Sequence, residues 1–143
     1  MSQHARAATR QTPAPVIVRW AASLLAAYSL MVLVYVLTLP PGASEFAHAL
    51  VATSIARILG SAVMVWGVAR GLPWGRWVTL AVGGLWAAFN ALALLEYSAV
   101  PRVAPMQTLY FGPAGIMSLL LLCGAIGCLL FPQSRSWFRR GAV

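Results

Sequence analysis

The stretch Ala69-Arg70-Gly71-Leu72-Pro73-Trp74-Gly75-Arg76-Trp77 interrupts the chain near its midpoint. It carries two arginines and is broken by one proline and two glycines, and a long apolar run lies on either side of it. Glycine and proline mark turns, and arginine is typical of the cytoplasmic side of a membrane. We therefore interpret the stretch as a tight cytoplasmic turn that joins two helical hairpins. The sequence predicts an all-α protein, a four-helix transmembrane bundle.

The composition points to the same class of protein. Hydrophobic residues make up 61% of the 143 residues and charged residues only 8%, whereas soluble domains are about half apolar and about a quarter charged. The net charge of +8 comes entirely from ten arginines. These arginines stand mainly at the ends of apolar runs, which is the pattern of membrane topology and not that of a patch tracking a nucleic acid. We expect a lipid bilayer as partner and no nucleic acid.

Four apolar runs supply the predicted helices. Val16–Leu39 is 24 residues long, and about 20 residues cross the hydrocarbon core. The apolar part of a cleaved signal peptide is shorter, about 7–15 residues, so we keep this run as a transmembrane helix. Paired prolines end it, and Pro132 ends the fourth run. The predicted helices cover residues 16–39, 48–69, 76–97 and 108–131.

These helices form one predicted transmembrane domain, residues 16–131. We expect a disordered basic cytoplasmic tail before it, residues 1–15, and a second basic cytoplasmic tail after it, residues 132–143. The orientation follows from the arginines, because positive charge stays on the cytoplasmic side. On the opposite side of the membrane, the only charged residues predicted are Arg102 and the two glutamates. We predict a multi-pass protein of the inner (plasma) membrane with both termini cytoplasmic. The eight arginines on the cytoplasmic side are Arg6, Arg10, Arg19, Arg70, Arg76, Arg135, Arg139 and Arg140.

Arg57 is the exception to this distribution of charge. It lies about nine residues into the predicted second helix, about 13 Å below its outer end at ~1.5 Å per residue. An arginine at that depth costs about 2.5–3.5 kcal/mol on insertion scales, so something must compensate for it. At helical spacing its neighbours form a small, polar face that suits contact with another helix. These neighbours are Thr53, Ser54, Gly60 and Ser61.

Asn90 lies at a similar depth in the third predicted helix, about 10 Å from its outer end. Adjacent antiparallel helices would bring it beside Arg57, and Glu96 or Glu45 would supply a counter-charge. One interpretation is an outward-facing polar pocket for an anionic group or a lipid headgroup. The other, which we favour, is an interhelical clamp that fixes helix packing. The candidate binding residues are Arg57, Asn90, Glu96, Thr53, Ser54 and Ser61.

Other chemistry is not favoured by the sequence. The two histidines, His4 and His48, fall in the tail and at an outer helix end, which does not suit haem ligation within a bundle. Cys123 and Cys128 point about 140° apart on one helix, so we expect two small apolar side chains and no disulfide. Neither a catalytic triad nor a phosphate-binding glycine loop is present. We expect no catalytic residues, no metal site and no cofactor.

The segment Ala56-Arg57-Ile58-Leu59-Gly60, followed by Gly67 and then Asn90, resembles the small uncharacterised bacterial four-helix membrane proteins of the DoxX-like kind. Such proteins carry Arg-x-x-Gly in the second helix and an asparagine in the third. The resemblance covers the middle third of the chain. It implies a four-helix bundle and little about activity.

The sequence therefore leaves three functions open, the least favoured of which is an enzyme with chemistry in the outer leaflet. The first is a non-enzymatic accessory or scaffold subunit that acts through helix contacts in the bilayer, with other membrane subunits or a second copy of itself as partner. The alternative is a binder or transporter of a lipid or small molecule, with a pocket around Arg57.

Overall fold

The computed structural model describes residues 14–37, 45–99 and 113–140, and within them the side chains of residues 14–37, 52–95 and 114–139. These ranges are helical almost throughout, with no strand among them. The prediction of an all-α chain is confirmed for this part of the protein. The helices are α1 (Val16–Leu37), α2 (Glu45–Ala69), α3 (Pro73–Val78), α4 (Gly84–Ala99), α5 (Pro113–Leu130) and α6 (Pro132–Arg140), and a π-helical segment (Thr79–Gly83) joins α3 to α4.

Three of the helical stretches are long and apolar enough to cross a membrane. They are Val16–Leu37, Ala52–Ala69 and the continuous stretch Pro73–Leu95. A fourth span is present if α5 and α6, which meet at an angle of 68°, are counted as one bent span. Large apolar side chains such as Leu59, Leu85 and Leu92 are more than half exposed on the outside of the bundle. That exposure is expected of a surface that faces lipid.

The helix bounds differ from the predicted ones in several places, and α4 ends at Ala99, two residues after the predicted end. α2 begins at Glu45, three residues before the predicted start, and the third span begins at Pro73 instead of residue 76. Proline fits the first turn of a helix because the missing N–H would be unbonded there anyway. Residues 132–140, predicted as part of a tail, form the helix α6. The predicted start of the fourth helix, residues 108–112, lies outside the described residues.

The core lies where α1 packs between α2 and α5. Tyr28 of α1 is fully buried there, and its ring stacks on Trp86 of α4 with centroids 6.2 Å apart. Gly60 of α2 makes room for that indole, since a Cβ at position 60 would lie 2.7 Å from a Trp86 ring carbon. The remaining large, fully buried apolar side chains are Val18, Leu25, Met64, Val68, Leu122 and Leu129.

The turn between α2 and α3 is built on Gly71. This glycine has a φ of 70°, in the left-handed region that side chains with a Cβ disfavour. The N–H of Gly71 donates to the carbonyl of Val68 (3.1 Å), and that of Leu72 to the carbonyl of Gly67 (2.9 Å). This pair of bonds is the Schellman arrangement that ends a helix. The helix end predicted from the glycines of this stretch is thus present, and Gly71 is the residue that allows it.

Two further glycines let α2 and α3 touch across this turn. A Cβ on Gly75 would lie 2.5 Å from the carbonyl carbon of Gly67, and a Cβ on Gly67 would lie 2.9 Å from the Cα of Gly75. Neither clash can be relieved by a side-chain rotation, because both partners are backbone atoms. The hairpin therefore requires glycine at both positions.

The third span departs from α-helical geometry just after this contact. Thr79 is fully buried, and its hydroxyl donates to the carbonyl of Gly75 (2.7 Å). A hydroxyl bound to the carbonyl four residues earlier competes with the backbone ladder. The backbone then continues through residues Thr79–Gly83 in π geometry before α4 begins.

We predict that Gly75→Ala destabilises the protein, whereas Gly84→Ala does not. Forcing a methyl group into a packed backbone contact costs about 1–3 kcal/mol, which lowers Tm by about 5 °C or more. Gly84 is the matched control, because a Cβ there meets no atom within 4 Å. Thermal unfolding of the detergent-solubilised variants measures the difference. Equal Tm values for Gly75→Ala and the parent would contradict the contact.

Candidate functional site

Arg57 lies at the middle of α2, twelve residues from Glu45 and twelve from Ala69. It is therefore about 18 Å from either end of the helix, deeper than the predicted helix start implied. The side chain is half-buried. Its guanidinium carbon lies 5.9 Å from the centroid of the Phe89 ring, near the limit for a cation–π contact. The observed length of α2 thus places the arginine at the middle of the helix, five residues after the start of the apolar stretch Ala52–Ala69.

A chain of hydrogen bonds links this arginine to two other helices. Arg57 Nη1 donates to Asn90 Oδ1 over 3.3 Å. The other end of the same amide donates from Nδ2 to Ser118 Oγ over 3.1 Å. Asn90 and Ser118 are both buried. The amide therefore uses both its acceptor and its donor to tie α2 to α5 through α4, and the predicted proximity of Arg57 and Asn90 is present.

A second polar contact joins α1 to α2 one turn further along. Ser61 is fully buried and donates to the Ile58 carbonyl (3.0 Å). Its oxygen then accepts from the Ser29 hydroxyl, 2.6 Å away. Ser61 thus belongs to an interhelical contact, but to a different one from that of Arg57.

Two further candidate residues of α2 differ in burial. Ser54 is fully buried, whereas Thr53 is exposed. The side chains of Glu96 and Glu45 lie outside those that the structure describes, so their predicted role as counter-charge stays a prediction.

Sequence reasoning missed Ser118 and Ser29. A depth count would have found Ser118, because it stands about ten residues into the predicted fourth helix and hence about 15 Å from its outer end. That is within about one helical turn of the depth predicted for Asn90. Ser29 carries no comparable signal, since serine is common in transmembrane helices and forms such contacts on many faces.

A small cleft lies beside the Arg57 network. Its volume is about 30 Å³, and it is partly open to the surface of the bundle. A cavity of that size holds a water molecule or two and is far smaller than a pocket for a drug-sized ligand. Its walls combine the polar network with apolar side chains of α1 and small residues of α5: Met31, Val32, Tyr35, Arg57, Asn90, Ala114, Gly115 and Ser118.

We compared the chain with protein-family models, with curated proteins and with solved structures, and none of the three comparisons gave a match.

We predict that Asn90 and Ser118 are energetically coupled. In a double-mutant cycle of Asn90→Ala and Ser118→Ala, the coupling should be about 0.6 kcal/mol and at most about 1.7 kcal/mol, the range of side-chain hydrogen bonds within membranes. A cycle of Asn90→Ala with Ser29→Ala is the matched control, because Ser29 bonds to Ser61 instead. Its coupling should be zero within about 0.3–0.5 kcal/mol. Unfolding in mixed micelles measures both coupling energies. Equal couplings in the two cycles would contradict a hydrogen bond between Asn90 and Ser118.

Proposed function

We propose that this chain is a four-helix transmembrane protein of the inner membrane, with both termini cytoplasmic, that acts as a non-enzymatic accessory or scaffold subunit. It would act through helix contacts in the bilayer, with another membrane subunit or a second copy of itself. The DoxX-like resemblance is consistent with this bundle and stays part of the proposal.

The observation that carries the proposal is the use of Arg57 in an interhelical bond. A charge within a membrane-spanning stretch is tolerated when it faces the bundle interior and is hydrogen-bonded there. The Asn90 amide oxygen accepts a hydrogen bond from Arg57, and the Asn90 amide nitrogen donates one to Ser118. The adjoining cleft of about 30 Å³ leaves room for water and little else. These features favour a clamp that fixes the helix faces offered to a partner.

The orientation is supported by where the described arginines lie along the helices. Arg19 is in the first turn of α1, Arg70 follows the end of α2, and Arg76 is in α3. Arg135 and Arg139 belong to α6. In an antiparallel bundle all five fall at the same end, and tryptophans of that end are exposed at interfacial depth. These are Trp20, Trp66, Trp74 and Trp77.

We predict that Arg57→Leu lowers the association constant of the assemblies about threefold or more, because the interhelical hydrogen bond that orders the helix faces contributes about 0.6 kcal/mol. Arg70→Leu is the matched control: it removes the same group from the exposed turn. Blue-native electrophoresis after cross-linking in cells measures assembly, and Tm in detergent measures folding. If Arg57→Leu expressed, folded and associated like the parent, the scaffold proposal would lose its support.

The alternative function, a binder or transporter of a small molecule or lipid, is favoured by one feature, the partly open side of the cleft. Ala114 lines that cleft and is half-buried, so Ala114→Leu would fill it without removing a hydrogen bond. Mass spectrometry of compounds extracted from the purified parent and from this variant separates the two functions. A species that is retained by the parent and lost from Ala114→Leu, with assembly unchanged, would favour the alternative.

A further inference from the structure

The short helix α6 lies against the end of the bundle. Ser134 is fully buried and Phe138 is 4% exposed, while Arg135 and Arg139 are exposed. The Ser134 hydroxyl lies 2.6 Å from the Leu129 carbonyl, at the end of α5. One face of α6 is thus fixed to the bundle, and the two arginines, one helical turn apart, stand together beside that face.

A third arginine reaches the same place from α3. Arg76 Nε donates to the Leu129 carbonyl over 3.2 Å, at the negative end of the α5 dipole. Its guanidinium carbon lies 5.3 Å from the centroid of the Trp77 ring. These contacts fix the direction of the guanidinium and engage one of its three nitrogens. Among the described residues, the two remaining nitrogens make no hydrogen bond.

The three arginines line one cavity of about 370 Å³ that is partly open to the surface, and we term it the basic pocket. Its lining residues are Pro73, Arg76, Trp77, Arg135, Phe138 and Arg139. In the described part of the chain no carboxylate lies among them. Glu45 begins α2 and Glu96 stands near the end of α4, about 30 Å or more along the helices from the turn. Like charges repel, so an anion in this pocket would relieve a repulsion that the described side chains leave in place.

We propose that the basic pocket binds the phosphate of an anionic phospholipid headgroup. A guanidinium can donate two parallel N–H bonds to two oxygens of one phosphate. A cavity of this volume lies within the range of small-ligand sites. The pocket lies where α3 begins and α5 ends, next to the exposed indole of Trp77. Because tryptophans are enriched at the depth of the lipid headgroups, this position suits a headgroup ligand. A zwitterionic headgroup would bring a further cation into a pocket whose charged lining residues are all arginines, so we expect selectivity for the anionic lipid.

This site is separate from the Arg57 cleft and rests only on the proposed insertion in a membrane. A failure of insertion would appear as protein soluble without detergent, and a failure of lipid selectivity would not affect that observation.

The test is native mass spectrometry of the full chain from nanodiscs of equimolar phosphatidylcholine and phosphatidylglycerol. The variant Arg135→Gln/Arg139→Gln removes two exposed guanidiniums from the pocket and leaves the Arg76 contact intact. The control variant Arg19→Gln/Arg70→Gln makes the same change in net charge at two described, exposed arginines that do not line the pocket. We expect the parent and the control to retain phosphatidylglycerol over phosphatidylcholine, and the pocket variant to bind phosphatidylglycerol about tenfold more weakly or worse. All three should have the same Tm in phosphatidylcholine alone.

Added inorganic phosphate distinguishes the two sources of the same chemistry. If excess phosphate leaves phosphatidylglycerol bound, the lipid headgroup is the ligand. If phosphate displaces the lipid at low concentration, and only when Arg135 and Arg139 are present, the pocket is a site for free phosphate and the lipid assignment is overturned. Absence of any lipid preference in the parent, or equal losses in the pocket and control variants, would overturn the site altogether.

Discussion

Hydrocarbon offers no partner for a hydrogen bond, and the polar groups in the middle of this bundle are arranged as that constraint requires. Arg57 lies about 18 Å from both ends of α2. It meets the Asn90 amide, which in turn donates to Ser118. Rotating any one of the three helices by one residue, about 100°, would leave a polar group facing lipid or an apolar side chain. The network therefore specifies which faces of α2, α4 and α5 point inwards, beyond what the apolar side chains alone can specify, since those pack almost as well on any face in lipid.

The second and third spans contact each other in one way at the turn that joins them and in another way further along the helices. At the turn, Gly67 and Gly75 bring backbone against backbone. Further along, α2 meets α4 through side chains, with Trp86 over Gly60 and Arg57 against Asn90. The separation there leaves space for a guanidinium and for a cleft of water size. The hairpin of the second and third spans thus combines a close backbone contact at its turn with a polar side-chain contact further along.

Much of this arrangement could be predicted from the sequence, because hydropathy, proline and glycine act locally. The apolar runs give the helices and Gly71 gives the end of α2. Counting residues gives similar depths for Arg57 and Asn90, although the earlier start of α2 puts Arg57 deeper than predicted. Features that depend on tertiary packing could not be predicted in this way. The basic pocket joins Arg76 to Arg135 and Arg139, about sixty residues apart. Pro132 marks the end of α5 in the sequence, but no local pattern gives the direction in which α6 then folds against the bundle. The π-helical segment and the Ser29–Ser61 contact were missed for a related reason, since neither Thr79 nor Ser29 differs locally from the many other serines and threonines of apolar helices.

The most direct test of the proposed four-span topology is a pair of reporter fusions expressed in a bacterial host. Alkaline phosphatase is active only outside the cytoplasm, and a fluorescent protein exported in unfolded form stays dark there. We predict that a fusion after Val143 gives fluorescence and no phosphatase activity, and that a fusion after Arg102 gives the reverse, with all of the protein in the membrane fraction. Phosphatase activity after Val143, or recovery of the chain in buffer without detergent, would contradict a bundle that crosses the bilayer four times with its arginine-rich end inside.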